Sequence, residues 1–316
     1  MTDAIMKRFL IFAVAFAGCV CVVAQDIEER TRVLDEVVIT PDATGRVNVI
    51  MGQVARRARE NRAKINGFTA RANAFLYSQD MDFIPDVMPG KIMFLIRMAA
   101  RLTRHGALLN FALEQQKIDA QLYADIRYAD GKVTFHNKRV VRSKPAMPKK
   151  VQEQLLRTAS VNPYDVIYGD GSLLNAKNRE RYDVSIQETI EEDGKTVRVL
   201  AFRNRNEKSK ETILLHVVEG DWGIRHMAVK SRFGSQIMDC TDVGEGIYLP
   251  TFYALNPNPV SLGDFLAEAR KRVAEEKKKP SRMTRKTLDR LEKVVNGERK
   301  YYPRVEVRCR LSYYKR

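Results

Sequence analysis

The sequence is poor in the residues from which reactive sites are usually built. Of 316 residues, four are cysteine, four are histidine and one is tryptophan. No Cys-x-x-Cys pair and no cysteine–histidine cluster occurs, which excludes the common zinc and dithiol frameworks. The histidines, His105, His136, His216 and His226, form no HExxH or comparable pair. Ser235, in Phe233-Gly234-Ser235-Gln236, lacks the flanks of a GxSxG nucleophile elbow. Asp239, Asp242 and Glu245 miss the register of a calcium loop and suit an acidic turn better. With no nucleophile, acid–base pair or metal set standing out, the expectation is no enzyme and no cofactor. One reservation concerns His216 and His226, which fall on adjacent expected strands and can meet across a hairpin; metal-binding and structural roles both fit. Beyond residue 24 no apolar run is long enough to span a bilayer. Internal repeats and low-complexity tracts are also missing.

What is present begins with a leader. Lys7 and Arg8 precede an apolar run over 9–17, and Val22-Val23-Ala24 offers a small-residue cut before Gln25. This is the pattern of a secretory signal peptide, with Met6 an alternative start. A single membrane anchor is the other reading, although the run is short for a hydrocarbon core of about 30 Å. Phe16-Ala17-Gly18-Cys19 also resembles a lipobox, which would make Cys19 an acylation site. Phe in place of the usual Leu and the apolar continuation to Ala24 argue against it. Export to the periplasm or outer membrane leaves Cys240 and Cys309 in an oxidising compartment, where a disulfide between them is permitted and two buried thiols are the alternative.

The formal net charge is +16, with 30% charged and 44% hydrophobic residues. Such a composition folds. In an exported protein the natural counterparts of this charge are lipid phosphates and other anionic envelope surfaces rather than nucleic acid. The charge is uneven: residues 271–316 hold 17 Lys and Arg against 6 Asp and Glu. That stretch is therefore the expected electrostatic contact.

Periodicity organises the rest. Val47, Ile50, Met51, Val54, Ala55 and Ala58 recur at helical spacing, so a helix is expected to end near Lys64. Residues 67–77 switch to period two, with Phe68, Ala70, Ala72, Ala74 and Leu76 on one face. Pro85 and Pro89 mark a loop. Phe94, Leu95, Met98 and Leu102 then share a helix face opposite Arg97, Arg101 and Arg104. Three readings of that helix stand: core packing, the lining of an acyl cavity, or an amphipathic helix on a membrane whose arginines reach phosphates. Residues 106–116 fit strand or helix. Hairpins are expected at 122–129/132–140 and 182–190/195–202, around Asp130-Gly131 and Asp193-Gly194, and at 212–218/222–230 around Glu219-Gly220-Asp221. A helix is expected over 149–158. Helices at 261–276 and 283–295 are followed by a strand, in which Val305, Val307, Cys309, Leu311 and Tyr313 alternate with Arg304, Glu306, Arg308, Arg310 and Ser312.

Some segments resemble known families. Leu34-Asp35-Glu36-Val37-Val38-Ile39-Thr40 resembles the "LDEVVVT"-like segment of TonB-dependent outer-membrane proteins. It also resembles a segment of large Gram-negative outer-membrane proteins that begin with a carboxypeptidase-like regulatory domain. In the latter, a helix like the one bearing Ile50, Met51, Val54 and Asn61 and a strand like Phe68-Thr69-Ala70 follow. The paired strands around 182–184 and 192–197, and the turn Glu219-Gly220-Asp221-Trp222-Gly223-Ile224, are similar to that family too. The order helix, strand, successive hairpins is similar to the half-barrel of periplasmic lipoprotein carriers and lipoprotein-sorting proteins. The resemblance spans about residues 35–233, and neither the regulatory domain nor a transmembrane barrel is expected within residues 1–316. As a TonB-box-like strand, 34–40 would add to a partner's sheet edge; otherwise it is the first strand of the chain.

The expected architecture is α+β: a curved antiparallel sheet, a half-barrel, with helices on its concave face and a basic C-terminal appendage. The expected parts are 1–24 signal peptide, 25–45 extended segment, 46–255 sheet domain with covering helices and 256–316 basic helix-helix-strand appendage. The expected function is binding of lipid, lipoprotein or an outer-membrane partner. The alternative is a solid-cored scaffold docking through its basic C-terminal part. Phe94, Leu95, Met98 and Leu102 are the candidate ligand contacts. Arg97, Arg101, Arg104, Lys277, Lys278, Lys279, Arg308 and Arg310 are the candidate contacts to an anionic surface.

Overall fold

A computed structural model describes residues 43–64, 68–88, 93–94, 106–129, 132–161, 166–167, 172–206, 209–231, 234–257, 262–278, 283–298 and 304–315. The helices are α1 (Ala43–Lys64), α2 (Ile84–Val87), α3 (Gly106–Glu114), α4 (Lys149–Ser160), α5 (Ala176–Arg179), α6 (Leu262–Lys278) and α7 (Arg285–Val295). The strands are β1 (Phe68–Gln79), β2 (Lys117–Ala129), β3 (Lys132–Lys144), β4 (Tyr182–Glu192), β5 (Lys195–Asn204), β6 (Thr212–Val218), β7 (Ile224–Ser231), β8 (Gly234–Asp242), β9 (Tyr248–Pro257) and β10 (Arg304–Lys315). They form one open, wholly antiparallel sheet in the order β3-β2-β1-β10-β9-β8-β7-β6-β5-β4.

The apolar phase of each strand makes one covered face. On β1, Ala70, Ala72, Ala74 and Leu76 are buried; on β2, Ile118, Ala120, Leu122 and Ala124; on β10, Val305, Val307, Cys309 and Leu311. The apolar stripe of α1 (Val47, Ile50, Met51, Val54) joins them in a single core, as do Leu155 and Leu156 of α4, Phe265 of α6 and Leu291 of α7. Helix α4 packs across β1, β2, β9 and β10, while α1 packs on β4. A smaller apolar cluster, Val199, Ala201, Leu214, Ala228, Ile237 and Ala254, lies on the opposite face of β5–β9.

All three expected hairpins form. In the β4–β5 turn, Asp193 and Gly194 both take positive φ (51° and 72°), the conformation an Asp-Gly pair supplies cheaply. Residues 106–114 resolve as helix, and α1 starts at Ala43, inside the segment expected to be extended.

The C-terminal part corrects the expected organisation. Strand β10 is not appended to the sheet domain; it lies between β1 and β9, in the middle of the sheet. The expected boundary at 255/256 falls within β9. Helices α6 and α7 are tied in as well. Phe265 and Leu291 are fully buried, and Arg290 reaches Asp82 (3.0 Å), in the turn after β1. A dense basic charge gave residues 256–316 the look of a separate module, but β10 uses its charge on one face only and its apolar phase fills the core.

Candidate functional site

The polar phase of the strands builds the second face, and strand register sets who stands beside whom. Across β3, β2, β1 and β10 the rows read Arg142–Gln121–Phe75–Arg308, Arg139–Tyr123–Asn73–Arg310, Lys144–Asp119–Tyr77–Glu306 and His136–Asp125–Arg71–Ser312. Arg71, Arg127, Arg139, Arg142, Lys144 and Arg310 are exposed, and Phe75, Tyr77 and Tyr123 are half-buried between them. Among the described residues of these rows only Asp119, Asp125 and Glu306 are acidic. Each has a cationic neighbour: Arg142 (2.8 Å), Arg71 (3.5 Å) and Arg308 (2.9 Å) respectively.

Aromatic rings hold this charge in place. The Arg139 guanidinium sits over Tyr123 (5.8 Å) and the Lys117 ammonium over Tyr77 (5.9 Å), at distances where the ring quadrupole attracts a cation. Asn73 donates to the Tyr123 hydroxyl (3.2 Å) and accepts from Gln121 (3.1 Å), which fixes the second row. The result is a basic surface with interleaved rings. Guanidinium groups in such an array suit phosphate, whose oxygens accept their paired N–H donors.

The same rows run on into the other half of the sheet. Arg310 stands beside Phe252, Phe252 beside Asp239, Asp239 beside His226 and His226 beside His216. The two histidine rings meet edge to face, with centroids 4.9 Å apart, as their hairpin spacing anticipated. His226 Nδ1 bonds Asp239 (2.6 Å). Burial first, and then the neighbouring His226, pull the His216 imidazole down to about 4, so it stays neutral near pH 7.

A polar clamp closes one end of the sheet. Lys195 donates to Asp221 (2.7 Å) and to the Tyr248 hydroxyl (3.1 Å), and Tyr248 donates to Asp221 (3.1 Å). The bond to Asp221 raises the Lys195 pKa, and the bond from Lys195 lowers that of Asp221. Tyr248 lies directly over Gly223, where a Cβ would fall 2.0 Å from its ring. Arg57 of α1 donates to the Glu245 carbonyl (3.0 Å), which ties the first helix to the turn before β9.

Under the sheet, Val54, Ala58, Asn61, Ile167, Trp222, Gly223, Ile224 and Tyr248 line a hollow of ≈ 10 Å³, about the space of one water. Phe94, expected to face a ligand, is 64% exposed, whereas its neighbour Met93 joins the core. Leu95, Met98, Leu102, Arg97, Arg101, Arg104 and Lys279 lie outside the described residues, as do the leader, Cys19 and the segment 34–40. Lys277 is ion-paired with Glu292 (2.7 Å) and Lys278 is exposed. Arg308 and Arg310 fall within the basic rows. Cys240 and Cys309 are free thiols, on strands separated by β9, and burial pushes the Cys309 thiol up to about 12. Asp242 accepts from the Gly244 N–H (2.8 Å), Glu245 pairs with Lys64 (3.5 Å), and Ser235 lies within β8, away from any strand–helix elbow.

Sequence reasoning missed Phe75, Tyr77, Tyr123, Arg127, Arg139 and Arg142 as a set. The polar phase of the alternation was the available signal, but only register brings four strands' phases together.

No protein-family model matches the chain, and no curated protein matches it. Three solved structures show a distant likeness. One is a domain described as an outer membrane lipoprotein-sorting protein from Vibrio parahaemolyticus, with 7% identity over 83% of this chain and 93% of that one, at a TM-score of 0.25. A DUF1329 family protein from Desulfovibrio piger has 8% identity over 82% of this chain and 90% of that one, at 0.26. A LolA superfamily protein from Nitrosomonas europaea has 10% identity over 82% and 90%, at 0.27. A likeness at these scores carries no functional argument.

Proposed function

We propose that the chain is a non-enzymatic binding protein of the bacterial cell envelope that engages anionic lipid, free or as part of a membrane surface, on its open sheet face. The observation that carries this reading is the set of basic rows across β3, β2, β1 and β10, with Phe75, Tyr77 and Tyr123 between the cations. Each cation close to an anionic lipid surface contributes about 1 kcal/mol, and tyrosine rings settle at headgroup level. The pattern over 1–24 supports an envelope location. Contact on a surface is the reading taken because most of these cations are exposed and the rings between them only half-buried.

Flotation of the purified protein with vesicles tests the reading. Binding to phosphatidylglycerol-containing vesicles is expected, with none to pure phosphatidylcholine. It should fade as salt shortens the Debye length from about 8 Å at physiological strength to about 3 Å at 1 M. Equal binding to neutral vesicles, or binding indifferent to salt, would overturn the electrostatic reading.

A further inference from the structure

We infer that His216 and His226 form a two-imidazole binding site for a divalent transition-metal ion, with Asp239 as the positioning residue behind His226. The site is separate from the lipid reading and stands on two observations. First, the two histidines are direct cross-strand partners on β6 and β7, with ring centroids 4.9 Å apart. Two imidazoles bound at about 2.0–2.1 Å to one tetrahedral ion place their ring centres about 5 Å apart. The unliganded spacing therefore already suits a shared ion.

Second, His226 Nδ1 is committed to Asp239 (2.6 Å). A carboxylate accepting the Nδ1 proton leaves Nε2 as the lone-pair nitrogen, the arrangement found behind ligating histidines, where the partner fixes tautomer and ring orientation.

Among the described residues no three His, Cys, Asp or Glu side chains converge as a ready metal cluster. The protein thus supplies two nitrogens, and water completes the shell. That donor set suits zinc or copper(II) over magnesium or calcium, which take oxygen ligands.

The test uses the full, chelator-treated protein titrated calorimetrically with zinc sulfate near neutral pH. One ion per chain is expected, with affinity at least tenfold weaker in His216→Gln and in His226→Gln. Asp239→Asn should cost a further measurable factor of about 10–100 if it orients the ring. No saturable binding in the wild type, or unchanged binding in the double His216→Gln/His226→Gln variant, would overturn the site. Should a variant misfold by circular dichroism, electron paramagnetic resonance of the copper(II)-loaded wild type decides. Hyperfine structure from two imidazole nitrogens on one ion supports the site, and fewer than two rejects it.

Discussion

A chain ending just before Arg304 will fail to fold. Strand β10 is paired along its length with β1 and with β9 over Val307–Arg310. Its loss would leave the first strand and the last hairpin with no partner between them. Val305, Val307 and Leu311 are each at most 5% exposed. Burying such side chains contributes about 1.5–3 kcal/mol apiece, or roughly 5–9 kcal/mol for the three. That is comparable with the whole stability of an ordinary domain, about 5–15 kcal/mol. The truncated protein should be insoluble, or show no cooperative thermal transition by circular dichroism. If residues 304–316 were an appendage, the shortened chain would instead stay soluble and melt close to the parent temperature.

The second large effect concerns the open face. Reversing Arg127, Arg139, Lys144 and Arg310 to Glu should weaken binding to phosphatidylglycerol vesicles by at least a hundredfold. At about 1 kcal/mol per basic residue near an anionic surface, removing four cations alone accounts for about 4 kcal/mol, or nearly a thousandfold. All four side chains are exposed, so the fold should survive and thermal melting should confirm it. The control reverses Lys277, Lys278, Arg285 and Lys286, which are equally exposed on and beside α6 and α7. The sheet-face account expects little change there. A helix-docking scaffold, the reading suggested by the dense charge of residues 271–316, expects the reverse ranking.

Much of the architecture was legible locally. Period-two apolar phases announced β1, β10 and the three hairpins, and the Asp193-Gly194 turn fixed its own register through positive φ. Helical spacing announced α1, because Val47, Ile50, Met51 and Val54 must share a face to be buried. Strands β8 and β9 went unread. Gly234-Ser235-Gln236 opens β8 without an apolar cue, and Pro250 interrupts β9 at a register shift opposite Cys240. The placement of β10 was out of reach for a different reason. Pairing between residues near 75 and residues near 308 is set by packing of the whole sheet, and no local pattern encodes it. The same limit hid the candidate site. Arg308 and Arg310 were recognised as a basic strand face, but Tyr77, Tyr123 and Arg139 become their neighbours only through register. The histidine pair was the easier inference, since a single hairpin joins its members.

The most direct measurement asks which surface meets the membrane. With Cys19 and Cys21 replaced by Ser, the remaining Cys240 and Cys309 are buried, so a nitroxide label will react at an introduced thiol. Ser312→Cys places it on the open face of β10, and Val49→Cys places it on the exposed side of α1. With phosphatidylglycerol vesicles present, the label at 312 should lose access to a water-soluble paramagnetic quencher, while the label at 49 keeps it. Protection at 49 with 312 still open to solvent would mean that the wrong face has been assigned to the lipid.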